Sequence, residues 1–584
     1  MTKKAAASVL AVDEDWESTL QQRADYIPIT ELLDETAVGG EIFERAVREL
    51  TNRSLRTIVG PRGCGKTHMM RYAWLVCKNS ATKPFAVFSS FQRYFRLEPL
   101  LSTNAGASQL FHSWVLARIL LSAKESSDEW CTPAIDASRI LADYGYPVDK
   151  LGTLAAKLER NQSIDSEFSE FSDSLSIDSV RAILDEIRRI SGRKFTVLLL
   201  DDAAMTLTPE YLIEFLDIVR LLKSTSIAPK ASVYPGTTEV SPRFHQGQDS
   251  VAIPAWISVE TDGYDAIMQE IANVRVKSLI DIPEDTQAIF RFAAFGIPRA
   301  YLSMLEEYQR GGFSTAQQGT NRILADHVTA RMAELRTLGT KIPKFEILVS
   351  VGETVLHAVS KELKSYNALL LARNEKGLVF GIAKDKLTSL LERMFNLLAE
   401  VGLIFDDGEV KHGTPARIYR KFIPHTALLV TTGVFNDASK GGGSLKQVLS
   451  AISLKSTKHP MRKSLEAMLG DGVLDTLDLA LPRCSACQTR RLTDNQRFCH
   501  NCAKQLVDAS IFNTCLEVQI VDVPGLTSWQ REQMTANLPH FRTIRDYLAK
   551  QDPAAELLTV SGFGARRTAR IIDVLNSFVD DYLS

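Results

Sequence analysis

The sequence predicts an α/β protein: a parallel β-sheet flanked by helices, followed by smaller helical and cysteine-held units. Three observations carry this. The first is Gly60-Pro61-Arg62-Gly63-Cys64-Gly65-Lys66-Thr67, a GxxxxGKT run between an apolar stretch, Leu55 to Val59, and a helical one, His68 to Cys77. That strand–loop–helix context is what a phosphate-binding loop needs. The second is Phe195 to Asp202, a short apolar run ended by two acids. Such a run suits a strand buried on both faces of a parallel sheet. The third is the alternation of strand-like and helix-like segments up to about residue 234, which argues for helices on both faces of the sheet.

The 584 residues exceed what one core can hold, so three to five domains are expected. An apolar content of 45% and a charged content of 24% are ordinary for globular protein. The formal charge of -2 gives no global basic field that would announce nucleic acid. No apolar run approaches the roughly 18–20 residues of a membrane span. Met1 to Val12 is too short in apolar residues, and too soon followed by acids, for a secretory signal. Cys64, Cys77, Cys131 and Cys515 stand singly, which fits a reducing compartment. A cytoplasmic protein with no membrane partner is expected.

The glycines of the loop let its backbone wrap closely and aim N–H groups at phosphate oxygens. The helix that follows adds its positive N-terminal end. The nucleotide-binding set is therefore Gly60, Pro61, Arg62, Gly63, Cys64, Gly65, Lys66, Thr67 and His68, with ATP and Mg2+ as ligands. Lys66 would reach the β- and γ-phosphates, and the Thr67 hydroxyl would ligate magnesium. Asp201 and Asp202 end a buried strand at its carboxyl end, where such sheets bind ligands. Asp201 would hold the magnesium shell and Asp202 would orient or activate the attacking water. The plainer reading, solvated acids after a buried strand, loses weight once the phosphate loop stands upstream.

The remaining elements follow in order. Residues 1–35 read as a loose lead-in. Ile42 to Leu50 reads as a helix, Pro84 to Ser89 as a strand and Gln109 to Lys124 as a long helix. Residues 125–180 are polar, and the run DSEFSEFSDSLSIDS reads as a solvated or mobile insert. Val180 to Ile190 carries Ala182, Ile183, Ile187 and Ile190 at helix spacing. Pro209 to Lys223 reads as a further helix and Lys230 to Tyr234 as a further strand.

Two further motifs are Pro235-Gly236-Thr237-Thr238 after a strand, and Phe295-Gly296-Ile297-Pro298-Arg299 opening a helix. With the two nucleotide motifs they resemble AAA+ ATPases, specifically origin-recognition-type initiators and the STAND signalling class. The resemblance covers roughly residues 35–435. It implies an ATPase core over 36–262 and a helical lid over 263–340. It implies Thr238 as a first sensor of the γ-phosphate, where Asn is commoner, and Arg299 as a second sensor reaching in from the lid. Lys66, Asp202 and Arg299 would then be the catalytic set. Arg243 would be a finger acting on a neighbouring subunit of a homo-oligomer. Ordinary roles, a turn threonine and a helix-start arginine, stay open for Thr238 and Arg299. Many such ATPases carry Glu where Asp202 stands. The shorter Asp implies slow hydrolysis or a switch.

The same resemblance implies a winged helix over 341–436. Lys384 to Val401 places Leu387, Leu390, Leu391, Met394, Leu397 and Leu398 on one stripe. A strand at Gly402 to Phe405, a turn at Asp406 to Gly408, and strands at Val410 to His412 and Arg417 to Phe422 would follow. Lys411, His412, Arg417, Arg420 and Lys421 would lie on phosphates, or belong to a packing domain with solvated charges.

Gly441-Gly442-Gly443-Ser444 reads as a flexible linker within 437–480. Over 481–506, Cys484-x-x-Cys487 and Cys499-x-x-Cys502 supply four thiolates at the spacing of a structural zinc ribbon. His500 reads as a neighbour of the site, not a ligand. Over 515–584, Leu557 to Ile572 resembles the helix-hairpin-helix module of DNA repair proteins. The resemblance implies phosphate contact at Gly562, Gly564, Arg566 and Arg567, with Arg570 adding charge and Ala569 at the helix approach. Val523-Pro524-Gly525-Leu526 would start a partner hairpin. Such modules contact the backbone of DNA or RNA, or serve protein docking.

Two functions follow. One is an AAA+ ATPase coupling ATP state to nucleic acid, DNA favoured, of the kind found in mobile-element or anti-phage systems beside an effector protein. The other is a STAND-like switch or scaffold that recruits a protein partner. A metabolic kinase would leave the cysteine knuckles and the hairpin unexplained.

Overall fold

The computed structural model describes residues 27–582, apart from 39, 131–135, 161, 203–207, 237–242, 246, 277, 414–416, 437–442, 471, 480, 482, 485, 493–495, 497, 505, 507–514, 524–525 and 551. Helix α1 (Glu41–Leu50) leads into β1 (Arg56–Val59), α2 (Lys66–Lys78) and β2 (Phe85–Ser90). Four further helices, α3 (Ala107–Trp130), α4 (Ala137–Asp143), α5 (Val148–Glu159) and α6 (Ser166–Ser174), come before α7 (Ile177–Ile190) and β3 (Thr196–Asp201). Then come α8 (Pro209–Leu222), β4 (Ile227–Val233) and β5 (Val251–Pro254).

The five strands form one sheet in the order β2-β3-β4-β1-β5, and every neighbouring pair is parallel. All carboxyl ends therefore share one edge. The loop after β1 and the acids ending β3 come to that edge with β4 between them. Every residue of β3 and of β4 is buried, which is why β3 reads as an unbroken apolar run.

The polar stretch 125–180 is not a solvated insert. It folds as α4, α5 and α6, with Leu141, Leu151, Leu154 and Leu158 at 0–1% exposure. Its acids and serines cap helices: Asp136, Asp165 and Ser176 each accept a backbone N–H two or three residues into the next helix. The lead-in is also tied down from residue 27. Ile27 and Leu32 are buried, Arg71 Nη2 donates to the Ile27 carbonyl at 2.8 Å, and Glu35 pairs with Arg275 at 3.0 Å.

Next come α9 (Tyr264–Arg275), α10 (Glu284–Ala293), α11 (Pro298–Arg310), α12 (Ala316–Lys341) and α13 (Glu346–Leu371). Strands β6 (Glu375–Lys376) and β7 (Phe380–Ala383), helix α14 (Ser389–Glu400), and strands β8 (Ile404–His412) and β9 (Arg417–Pro424) follow. β7, β9 and β8 make an antiparallel sheet. The expected turn at Asp406 to Gly408 is instead a register shift inside the continuous β8.

Gly441 and Gly442 lie outside the described residues, and the chain after them does not lead away from the body. Ser444 caps α15 (Leu445–Ile452), whose Val448, Ala451 and Ile452 are buried in the same apolar cluster as α10 and α11. β10 (Lys455–Ser456) then pairs in parallel with β6. The tail holds α16 (Ser528–Asn537), α17 (Ile544–Ala549), α18 (Pro553–Leu558) and α19 (Ala565–Tyr582), the first two opened by capping boxes. Among the described residues no helix is long and apolar enough to cross a membrane.

Candidate nucleotide-binding site

The loop between β1 and α2 bends through Gly63 at φ +84° and Gly65 at φ +96°, where side chains other than glycine are strained. Lys66 opens α2 and is 9% exposed. Its Nζ donates to the carbonyls of Gly60 at 2.6 Å and Pro61 at 3.0 Å, and lies 4.6 Å from the centre of the Tyr234 ring. The ammonium is thus held over the loop, where phosphate oxygens would compete for its protons. Arg62 Nε donates to the Tyr234 hydroxyl at 3.2 Å. Burial works against its charge, yet Tyr234 and Glu334 hold its pKa above the usual arginine value. Cys64 is buried under the loop, and burial raises its thiol pKa.

Asp201 ends β3 at 1% exposure, in register with Ser90 of β2. Asp202 follows at φ +54°. Its amide donates to Ser232 Oγ at 2.9 Å, and Ser90 Oγ donates to its Oδ2 at 3.4 Å. β4 thus holds the Asp202 backbone through Ser232, and β2 reaches its carboxylate through Ser90. Neither serine nor Tyr234 stands out in the sequence, since hydroxyl residues at strand ends are common. Their strand-end positions after apolar runs are the signal that could have found them.

Arg299 sits at the start of α11, against the loop. Its amide donates to the Gly63 carbonyl at 3.4 Å, and a Cβ on Gly63 would lie 3.1 Å from Arg299 Cβ and Ile297 Cγ2. Phe295 and Gly296 both have positive φ, +56° and +73°. A Cβ on Gly296 would fall 1.9 Å from the Ile257 carbonyl oxygen, so only glycine fits this turn. The unit of α14 and the β7-β9-β8 sheet joins here too. A Cβ on Gly402 would lie 2.8 Å from Ile297 Cδ1 and 3.6 Å from Pro61 Cβ. Phe405 packs edge-on against Trp256 with centroids 4.8 Å apart.

Other expected residues fall elsewhere. His68 turns to the lead-in, its Nε2 2.7 Å from Thr36 Oγ1, and burial lowers its pKa to about 4. Thr238 lies outside the described residues, as do Pro524 and Gly525. Arg243 pairs with Asp217 of α8 at 3.2 Å. Thr67 stays at the first turn of α2, beside Lys66. The donors present suit a magnesium-bound nucleoside triphosphate: a loop of N–H groups, the Lys66 ammonium, the Thr67 hydroxyl and the buried Asp201 carboxylate.

The Sγ atoms of Cys484, Cys487, Cys499 and Cys502 all lie within 4.8 Å of one another. Two matching knuckles build this cluster. Gln488 N donates to Cys484 O and Ala503 N to Cys499 O, both at 2.8 Å. Gln488 and Ala503 follow each second cysteine at φ +58° and +56°. Four converging thiols, with no fifth ligand group in the cluster among the described residues, suit a tetrahedral structural zinc. His500 Nδ1 contacts Gln496 Nε2 at 3.2 Å, outside the four-thiol cluster.

In the tail, α18 and α19 form a hairpin through Gly562 at φ +89°. Arg567 donates to the Gly562 carbonyl and lies 4.9 Å from the centre of the Trp529 ring, so it braces the hairpin. Arg566 and Gly564 are exposed. Ala569 is exposed as well; the residue turned into the helix contact is Thr568, at 2% exposure. One helix position separates the two, and the packing angle of the hairpin decides which faces in.

No protein-family model matches this chain, and no curated protein matches it. Among solved structures, the Walker-type ATPase PABY2304 of Pyrococcus abyssi is similar over 68% of this chain and 96% of its own, at 14% identity and a TM-score of 0.37. The five-stranded parallel sheet with its phosphate loop fits a P-loop ATPase core.

Proposed function

We propose that this chain is an AAA+-type ATPase that binds and hydrolyses ATP and couples nucleotide state to nucleic acid, DNA favoured. The observation that carries the reading is the junction of Gly63, Arg299 and Gly402. The phosphate loop, α11 and the β7-β9-β8 unit touch at one place, so a shift of the loop on binding phosphate would move both. Lys66 holds the β- and γ-phosphates, while Thr67 and Asp201 hold magnesium, which supplies charge neutralisation there. Asp202, held at its amide by Ser232 and at its carboxylate by Ser90, accepts a hydrogen bond from the attacking water. Arg299 compensates charge from the lid side. The four cysteines hold zinc as a staple for a segment with little apolar core.

The basic residues that would meet nucleic acid in this reading are not all those expected of the wing. Arg420 pairs with Asp406 at 2.7 Å and Glu392 at 2.9 Å, and Lys421 pairs with Asp407 at 2.5 Å. Lys411 and Arg417 remain exposed. His412 lies 5.3 Å from His459, ring to ring, which brings exposed Lys458 and Arg462 to the same side. That cluster, with Gly562, Gly564, Arg566 and Arg567 of the tail, suits phosphate backbone more than bases.

The test is ATP turnover by the full chain with and without duplex DNA, single-stranded DNA and RNA, Lys66→Ala serving as the blank. Stimulation by DNA that fades as salt rises is the expected result. Turnover lost in the blank but indifferent to every polymer would replace this reading with a switch that recruits a protein partner.

A further inference from the structure

Helix α3 turns a polar stripe toward a cavity on the outer side of β2. Arg118, Ser122, Glu125, Ser126 and Glu129 recur at helical spacing, and all five line one cavity of about 500 Å3. An inward helix face is ordinarily apolar. This one faces Trp74 and Arg71 of α2, and Phe88 and Ser90 of β2, across the gap. β2 is an edge strand, so the cavity lies outside the sheet. Glu125 and Glu129 are exposed at its mouth, while Ser122 and Ser126 are each 4% exposed at its wall. Trp74 is 6% exposed and its Nε1 donates to Ser126 Oγ at 3.2 Å, which holds the indole in place.

Three guanidiniums reach this space. Arg71 donates to the Ile27 carbonyl, and Arg93 pairs with Glu159 at 3.2 Å. Arg118 differs. Its Nε is buried with no hydrogen-bond partner among the described residues. A buried cationic N–H without an acceptor is strongly disfavoured. The planar fork of arginine matches a carboxylate or a phosphate. The volume is in the range of small-molecule sites, roughly 300–1,000 Å3.

We propose that this cavity is a second ligand site, taking a small organic anion with a planar ring against Trp74 and Phe88 and a phosphate or carboxylate on Arg118. One wall residue is shared with the nucleotide site, since Ser90 also donates to Asp202. The proposal does not depend on ATP turnover.

The test is calorimetric titration of the full chain with phenyl phosphate and with benzoate, after saturation with Mg-ADP. The ADP titration, run first, reports on the phosphate loop separately. Binding of at least one probe at one per chain is expected, and which one binds names the acidic group. Arg118→Met is expected to weaken it at least tenfold. Ser122→Leu, which fills the cavity from its wall, is expected to abolish it. No heat from either probe overturns the proposal, as does unchanged affinity in either folded variant. Crystals soaked with the bound probe decide without a variant: density away from Arg118 overturns it.

Discussion

The amide of Arg299 donates to the carbonyl of Gly63, and a Cβ on Gly63 would stand 3.1 Å from Arg299 Cβ. Helix α11 therefore begins on the loop after β1. Gly63→Ala meets both this contact and a positive φ, so ATP affinity is expected to fall about tenfold or more, with about 1–2 kcal/mol of stability. Calorimetry with a slowly hydrolysed ATP analogue checks it, and wild-type affinity would refute it. Arg299→Ala, which keeps the backbone bond, is expected to lower turnover about 10- to 100-fold with a smaller change in affinity.

Hydroxyls from two neighbouring strands meet Asp202, Ser232 at its backbone amide and Ser90 at its carboxylate. Asp202→Asn is expected to reduce turnover at least about 100-fold while ATP still binds. Ser232→Ala removes the acceptor of the Asp202 amide and is expected to reduce turnover a few-fold. Equal kcat in wild type and Asp202→Asn would remove Asp202 from the chemistry.

Elemental analysis of protein purified without chelator is expected to give one zinc per chain. Cys484→Ser with Cys502→Ser should drop it to none and make the 481–506 segment protease-sensitive. ATP turnover without polymer should persist, because none of these residues is at the phosphate loop. Full zinc content in the double variant would refute the four-thiol site.

Lys230 is fully buried in β4, with its Nζ donating to Asn52 Oδ1 at 2.8 Å. Burial, aided by Arg56, lowers its pKa to about 7. In the unfolded chain the value is about 10.4. Between pH 7 and about 10 the unfolded state binds more protons, so stability rises with pH across that window. The urea midpoint is expected to increase from pH 7 to pH 9, and Lys230→Met to flatten the increase. The same slope in both proteins would contradict this.

His68 shifts in the same direction, in a window at lower pH. Burial holds it neutral down to about pH 4, against an ordinary value near 6.5. The unfolded state takes up the proton first, so stability falls as pH drops from about 6.5 to 4. His68→Gln should lessen that fall in a thermal melt series. An unchanged acid profile would show that His68 is not the group responsible.

Much of the site was legible because its signals are local. A phosphate loop must be glycine-rich, contiguous and flanked by a strand and a helix, so Gly60 to Thr67 declares itself. The buried strand before Asp201 is a run of apolar residues, and paired cysteines at fixed spacing define their own knuckles. Helix stripes such as Leu391 to Leu398 follow from period alone.

Tertiary structure decided what depends on partners far apart in the chain. Arg420 and Lys421 look like free wing charges until β8 brings Asp406 and Asp407 across from them. The polar stretch around α4 to α6 looks solvated until its serines and acids are seen as caps over buried leucines. Thr36 meeting His68, Gly63 meeting Arg299, and the inward polar stripe of α3 leave no mark in local spacing. The sequence by itself determined the loop, the acidic strand, the cysteine knuckles and most helices, because hydrogen-bond geometry and apolar period act over a few residues. Which faces meet, which charges neutralise one another and where a cavity remains were decided only when the sheet order and helix packing brought distant residues together.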